Sequence, residues 1–532
     1  MKQLYITLAF LILCLSTSYA YQNTTAKAAD KIVIKKKTQV IKAPIKINTA
    51  SINAFLNKYP KLKTYQSDLT ALYLKRNYKS IWFGGKGVIE FANLLYSKTN
   101  ELEEEGLQSK MPYKNKINQI LNDKTTKNLA STDNELLLSS MYVFYAKKVY
   151  KGIETDKIKE IGWFIPQKNL SYTTLLSYLL ADPQSVEQND NIQFNQYYKL
   201  REVLKKYRKI EQNGGWNQIV RDTLVYELKP GDSSKTIGQI RQRLAITGDL
   251  NSDSKSNLYD EELITGVLNF KRKHGYNENP IITFSQIDRM NIPIEHFIKT
   301  IIVNMERCRW IDPEMTKAAQ YIIVNIPSYK LFFVQNGKTA LESNVFVGGT
   351  MNETVIFSGN INYMVFSPYW NIPTSIVQSE IKTALEQNKN YLEENEMEFI
   401  KGRVRQKPGA KNPLGNVKFI FPNSNDIYLH GSPSKSLFQS EYRAYSHGCI
   451  NVNKSEELAY LILKDNTEWP VERIKSAMDG GVETKCILKE KLPVHMVYFT
   501  AWVTDSGEIN FFNDIYERDD RLAEILFSED YK

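Results

Sequence analysis

The sequence predicts a multidomain α+β protein: an all-α front domain, a small three-helix module, and a mainly β domain that carries an inserted cap. Three observations predict it. From Ser51 to about Trp216 apolar residues recur at helical spacing, as in Ile52, Phe55 and Leu56, and again in Leu136, Leu137, Met141, Phe144 and Tyr145. Between Leu228 and Met290 three short helical faces follow one another. After Gln320 the pattern changes to short strand-like runs punctuated by Pro and Gly. A chain of 532 residues has room for about three domains.

The first twenty residues read as an export signal. Met1-Lys2-Gln3 is a short positive start, Leu4 to Leu15 is apolar but too short to span a bilayer, and Ser18-Tyr19-Ala20 offers small residues for cleavage after Ala20. Lipidation at Cys14 is the competing reading, with bulky Leu13 against it. No other stretch is apolar enough to cross a membrane, so the expected mature protein is exported and soluble. Residues 21–48 form a basic linker rich in lysine: Lys31, Lys35, Lys36, Lys37, Lys42 and Lys46. The net charge of +10 suits an anionic wall polymer or membrane face, and an exported chain is no nucleic-acid binder.

Residues 49–225 are the helical domain, broken at Gly84-Gly85, Pro112, Gly162, Pro166 and Gly214-Gly215. Trp82 and Trp163 are expected core anchors. Residues 226–296 are the module. A turn at Leu228–Asp232 leads to a face of Ile237, Ile240, Leu244 and Ile246, closed by Gly248. Tyr259, Leu263, Val267 and Phe270 make a second face that ends at His274-Gly275, and Phe284 to Met290 make a third helix. His274, beside the helix-ending glycine, is expected to cap rather than bind a ligand.

Residues 297–532 are the β domain. A helix from around Pro293 to Arg309 precedes a hairpin, 320–326 and 330–335, turned by Pro327-Ser328-Tyr329. Further strands are expected at 344–347, 362–366, 417–421, 426–430, 485–489, 494–503 and 509–512, with a helix at 455–463. The segment at about 374–411 is polar and charged, with Gly402 and Gly409, and reads as a mobile flap too polar to make a core.

The chemistry concentrates between Tyr428 and Val452. Cys449 ends Ser446-His447-Gly448-Cys449, and His430 ends an apolar run nineteen positions earlier. That gap suits two neighbouring strands joined by a long loop. A thiol near its ordinary pKa of roughly 8.5 needs a base to become a nucleophile, and an imidazolium nearby would lower it. His430 is the expected base. His447 lies two residues from Cys449, roughly 7 Å away along a strand, so contact would need a turn. Backbone N–H groups around Gly448 and Cys449 are the expected oxyanion donors. Three cysteines follow the signal: Cys308, Cys449 and Cys486. The odd count flags a free thiol, and Cys308 and Cys486 could pair or lie in the core. The five histidines show no metal-ligand spacing, and neither metal nor cofactor is expected.

The ordered set His430-Gly431, Ser446-His447-Gly448-Cys449 and Asn451 resembles the catalytic motif of the L,D-transpeptidases. Further strings are similar to the large periplasmic members of Gram-negative bacteria: Leu74–Phe83, Glu105-Gly106-Leu107, Tyr207–Ile210 with Gly214-Gly215-Trp216, Ser367–Pro373, Arg403–Gly409 and Asp514-Ile515-Tyr516. The resemblance implies a helical scaffold domain, a peptidoglycan-binding-like module and a transpeptidase domain whose insertion caps the site. It implies peptidoglycan stem peptides as substrates, 3→3 cross-links made through a thioester on Cys449, and carbapenems as acylating agents. Gly431 and Gly448 fall to oxyanion binding or orientation, and Ser446, His447, Asn451, Tyr428 and Trp370 to the substrate pocket. Asn451 stands where many members carry Arg. The module would bind glycan strands or serve as a spacer; Asn277–Pro280 replaces the family's acidic glycine turn. The same site could act as an L,D-carboxypeptidase or exchange D-amino acids, and an inactive wall-binding scaffold is the alternative outside enzymes.

Overall fold

The computed structural model describes residues 45–84, 87–122, 130–189, 191–222 and 226–528. The expected signal and most of the basic linker lie outside them. The chain divides into residues 1–46 and 47–532, and every element below belongs to the second unit, which is compact.

The front half is helical, as the periodicity predicts. Helix α1 (Thr132–Tyr145) is buried on all sides, and its Glu135 is fully buried. The Glu135 carboxylate is satisfied by the Ile81 N–H at 2.5 Å, the Ser80 hydroxyl at 2.8 Å and the Tyr73 hydroxyl at 2.9 Å. Trp82, also fully buried, donates its indole N–H to Ser139. Helix α2 (Gln196–Gln212) packs along α6 (Ile294–Trp310). The Gln196 side chain makes a reciprocal pair with the backbone of Val503, at 2.8 and 3.0 Å, which fixes the helical half to the β half.

In the module, α3 (Lys235–Thr247), α4 (Glu261–Lys273) and α5 (Phe284–Met290) close on Ile237, Ile240, Leu244, Leu263, Val267, Phe270, Ile287 and Met290. Ser234 and Asp260 cap the first two helices, and Gly248 ends α3 in the left-handed region. Ile246 is only half-buried. His274 is the C-cap of α4, wedged 4.4 Å from Phe270 and 5.9 Å from Phe511. The boundary read between residues 296 and 297 falls inside α6, a continuous helix shared by both sides.

The β domain is a closed sheet. Its strands are β1 (Gln320–Asn325), β2 (Lys330–Gln335), β3 (Lys338–Gly348), β4 (Ser358–Phe366), β8 (Val417–Ile420), β9 (Leu429–His430), β10 (Ala444–Ser446), β11 (Ile450–Val452) and β12 (Thr484–Val497). They run in the order β10-β3-β11-β9-β8-β4-β12-β1-β2, and β2 pairs back onto β3. The strand expected at 485–489 and the first part of that expected at 494–503 are one long strand with a register shift between Ile487 and Leu492, while Ala501–Val503 pairs separately with Ile509–Phe511. The long strand stops after Val497 because Asn325 and Asn304 take the N–H groups of Phe499 and Thr500 into side-chain bonds. The strand expected at 426–430 shrinks to Leu429–His430 because Asp426 turns at φ +52°.

The insertion corrects the sequence reading. Strands β5 (Trp370–Asn371), β6 (Met397–Ile400) and β7 (Arg403–Gln406) form a separate sheet beside a helical stretch from Thr374 to Glu394. Ile372, Ile376, Ile381 and Val404 make a small core of their own, flanked by Trp370, Val377, Leu385, Tyr391, Leu392 and Met397. The reading as a coreless polar flap fails because these apolar residues are split between a helix and a distant hairpin. Ile376 and Ile381, five apart, would not share a face of an α-helix. A π-helical turn at Val377–Ile381 realigns them.

Candidate active site

Strands β9 and β11 are parallel neighbours, with Leu429 opposite Ile450 and His430 opposite Asn451. The same register, carried one residue back, sets Tyr428 beside Cys449, and the Ile450 N–H donates to the Tyr428 carbonyl at 3.1 Å. The eighteen residues between them thus bring Cys449, just before β11, level with Tyr428, two residues along β9 from His430.

Cys449 sits in a turn between β10 and β11. The Ser446 hydroxyl donates to the Cys449 carbonyl at 2.5 Å and accepts the Gly448 N–H at 3.2 Å. Gly448 has φ +103°, a conformation that favours glycine. Its carbonyl accepts the Thr354 hydroxyl at 2.9 Å, and Thr354 in turn accepts the Gly348 N–H. Tyr516 completes the support: its hydroxyl donates to the Gly348 carbonyl at 2.6 Å and accepts the Thr354 N–H. Arg518 links this floor to the helical half, bonding Glu353 at 2.5 Å and the carbonyls of Ile161 and Gly162. Trp163 and Phe164 dock beside it on Ile356, and Trp163 packs edge-on to Trp310.

The Cys449 thiol is half-buried and points at the Asp426 carbonyl, 3.7 Å from Sγ, with the Tyr428 hydroxyl also in hydrogen-bonding reach. Burial raises its pKa, against the lowering effect of Tyr428. His430 is buried, opposite Lys418 on β8, with its ring 5.6 Å from that of Tyr428. Burial pushes His430 down to about 4, outweighing the Gly431 and Pro413 carbonyls, which favour the charged ring. Nδ1 lies 2.7 Å from the Gly431 carbonyl. A carbonyl only accepts, so the neutral ring carries its proton on Nδ1 and keeps the Nε2 lone pair. Burial works against the expected imidazolium–thiolate pair, because it disfavours the charged form of both groups.

Other expectations are also adjusted. His447 is not on a strand with Cys449: it lies in the turn, exposed, with Nε2 3.9 Å from Glu380 of the insertion. Gly448 spends its N–H on Ser446, and Gly431 spends its own on Val417, so neither offers a free oxyanion donor; Gly431 instead orients His430. Ser446 shapes the turn. Trp370 packs into the insertion's core rather than the pocket. Tyr428 and Asn451 are half-buried beside the pair. Cys308 and Cys486 are free and buried. No group of three or more His, Cys, Asp or Glu among the described residues could hold a metal. Thr354, Glu380 and Asp426 carry no functional signal in the sequence. Tyr516 lay within a string that resembled the family, without a role.

Residues 319–472 match the L,D-transpeptidase catalytic domain, and residues 67–204 match a scaffold domain. The chain carries an L,D-transpeptidase catalytic domain. A relative from Haemophilus influenzae, named "Putative L,D-transpeptidase", is 33% identical over 227 residues, which is 38% of this chain and 46% of that protein. The match thus spans about half the length of that relative. Among solved structures, an L,D-transpeptidase from Mycobacterium smegmatis aligns at TM-score 0.20 with 11% identity over 34% of this chain and 59% of that one. One from Stackebrandtia nassauensis aligns at TM-score 0.21 with 13% identity, over 51% and 96%. The transpeptidase match ends at residue 472, yet the Cys449 turn leans on Tyr516 and Arg518 beyond it.

Proposed function

We propose that this protein joins peptidoglycan stem peptides by 3→3 cross-links, through a thioester on Cys449, in the periplasm. The observation that carries the reading is the half-buried Cys449 thiol, on a braced turn, one strand from the buried His430. Cys449 attacks the carbonyl after the third residue of a tetrapeptide stem while His430 takes the thiol proton. The C–N bond to the terminal D-alanine breaks, and His430 protonates the leaving amine. The Tyr428 hydroxyl and the Cys449 N–H are the proposed donors to the developing oxyanion. An amine of a second stem then resolves the thioester. Stem peptides are the partners. The periplasmic setting rests on the signal-like first twenty residues, and no helix among the described residues is long and apolar enough to cross a membrane. Glycan binding through the middle module is a further part of the proposal.

The test is incubation of the purified protein with disaccharide-tetrapeptide, read by mass spectrometry. The wild type should yield 3→3 dimers and a carbapenem adduct on Cys449. Cys449→Ala should yield neither while keeping its fold. Dimer formation by Cys449→Ala would overturn the assignment.

A further inference from the structure

The insertion brings one carboxylate to the turn that carries the nucleophile. The π turn that buries Ile381 leaves the preceding residue, Glu380, facing the Ser446–Cys449 turn, with Oε1 3.9 Å from His447 Nε2. The two side chains keep 60% and 61% exposure, so both reach open space beside Cys449. A contact this exposed adds little to stability. Its position is set by a folded core on one side and the braced turn on the other, not by a loose loop.

The second half-reaction has a need that His430 does not meet. This argument rests on the proposed cross-linking. The acceptor is an alkyl amine, which is protonated at neutral pH because its pKa is about 10. It must lose a proton before its lone pair can attack the thioester. His430 is buried, with its ring 5.6 Å from that of Tyr428, and does not reach open space. His447 is exposed, on the insertion side, with a carboxylate beside it.

We propose that Glu380 and His447 form the acceptor side of the site, where the carboxylate binds the incoming ammonium group and the imidazole takes its proton. The freed amine attacks the thioester carbonyl; the C–N bond forms and the C–S bond breaks. The second amine proton passes to the departing Cys449 thiolate, and His447 releases the first to solvent. The ligand class is therefore a primary alkylammonium on the acceptor stem. Water needs no such deprotonated cation site, so hydrolysis of the same thioester is less dependent on Glu380.

The experiment uses the full chain with a tetrapeptide donor and compares two acceptors by mass spectrometry. One is a stem peptide whose amine is protonated at pH 7; the other is hydroxylamine, which is already neutral there. Glu380→Gln should lower the ratio of transfer to hydrolysis about 10²-fold with the stem acceptor. It should leave the ratio with hydroxylamine near the wild-type value, and Glu380→Asp should recover part of the loss. An unchanged ratio in Glu380→Gln, or an equal loss with both acceptors, would overturn the inference while leaving the thioester reading intact. A wild type that never acylates Cys449 overturns both.

Discussion

The hydroxyl of Thr354 holds the carbonyl of Gly448 at 2.9 Å, one residue from the nucleophile. The same oxygen accepts the N–H of Gly348, so one buried side chain satisfies two backbone groups. Thr354→Val keeps the shape and removes both bonds. Leaving buried polar groups unpaired costs about 1–3 kcal/mol each. The expected result is a lower melting temperature and a roughly tenfold slower carbapenem acylation of Cys449, if the lost bond frees the turn. Thr354→Ser should retain most of the rate. Equal acylation rates in wild type and the valine variant would show that the turn does not need this support.

Glu306 is the corresponding support between the two halves. It is fully buried on α6, 2.7 Å from Arg309, and it accepts the Trp310 indole N–H at 2.9 Å and the Ile153 N–H at 2.7 Å. Removing one partner of a buried ion pair costs about 3–5 kcal/mol. Glu306→Leu should lower stability by about that amount in chemical denaturation, far more than loss of the exposed pair Lys199–Asp505. Similar losses in the two variants would mean the Arg309 charge finds other compensation.

Acid should weaken the fold before it reaches the carboxylates. His430 and His495 are both held down to about 4 by burial, against an ordinary value near 6.5. Between those values the unfolded chain binds protons that the folded chain refuses, so stability falls as pH drops from about 6.5 towards 4. Full loss of the His430 contribution amounts to about 3 kcal/mol. Denaturation midpoints at pH 7 and 5 should differ in that direction, and His495→Gln should reduce the difference. The catalytic role adds a second signature. If neutral His430 is the base, the acid limb of acylation should lie well below pH 6.5. A limb at 6.5 would show that His430 is accessible to solvent or is not the base.

The insertion gives a prediction about product partition. Because Ile372, Ile376, Ile381 and Val404 form a core separate from the closed sheet, the insertion should come out with little damage beneath it. Replacing residues 374–411 by a short Gly/Ser linker should shift products from cross-links to hydrolysis, with Cys449 still open to carbapenem. Normal cross-linking by the deletion variant would make the insertion a surface addition.

His430→Ala should reduce turnover by about 10² to 10⁴, the usual worth of a general acid–base. His447→Ala should spare donor acylation and damage transfer to amines. Pre-steady-state acylation with a chromogenic β-lactam and product analysis with stem peptides separate the two. A larger acylation defect in His447→Ala would reverse the assignment.

What the sequence determined by itself is the local and the periodic. The helical spacing from Ile52 onward, the close of a helix at Gly248 and the hairpin around Pro327–Tyr329 are all set by near neighbours, and the structure shows them. The set His430, Ser446, His447, Gly448 and Cys449 was legible for the same reason: its chemistry needs fixed residue types at short spacing. The tertiary structure decided everything that depends on burial and on partners far away in the chain. The neutral resting state of His430 follows from desolvation, which residue types do not reveal. Thr354 reaches Gly448 across 94 residues, and Tyr516 reaches Gly348 across 168. The insertion's core joins a helix to a hairpin, and its π turn carries Glu380 to His447. A one-dimensional pattern fixes which face of an element is apolar, but only the closed sheet and the packing around it fix which groups meet, and how much water stands between them.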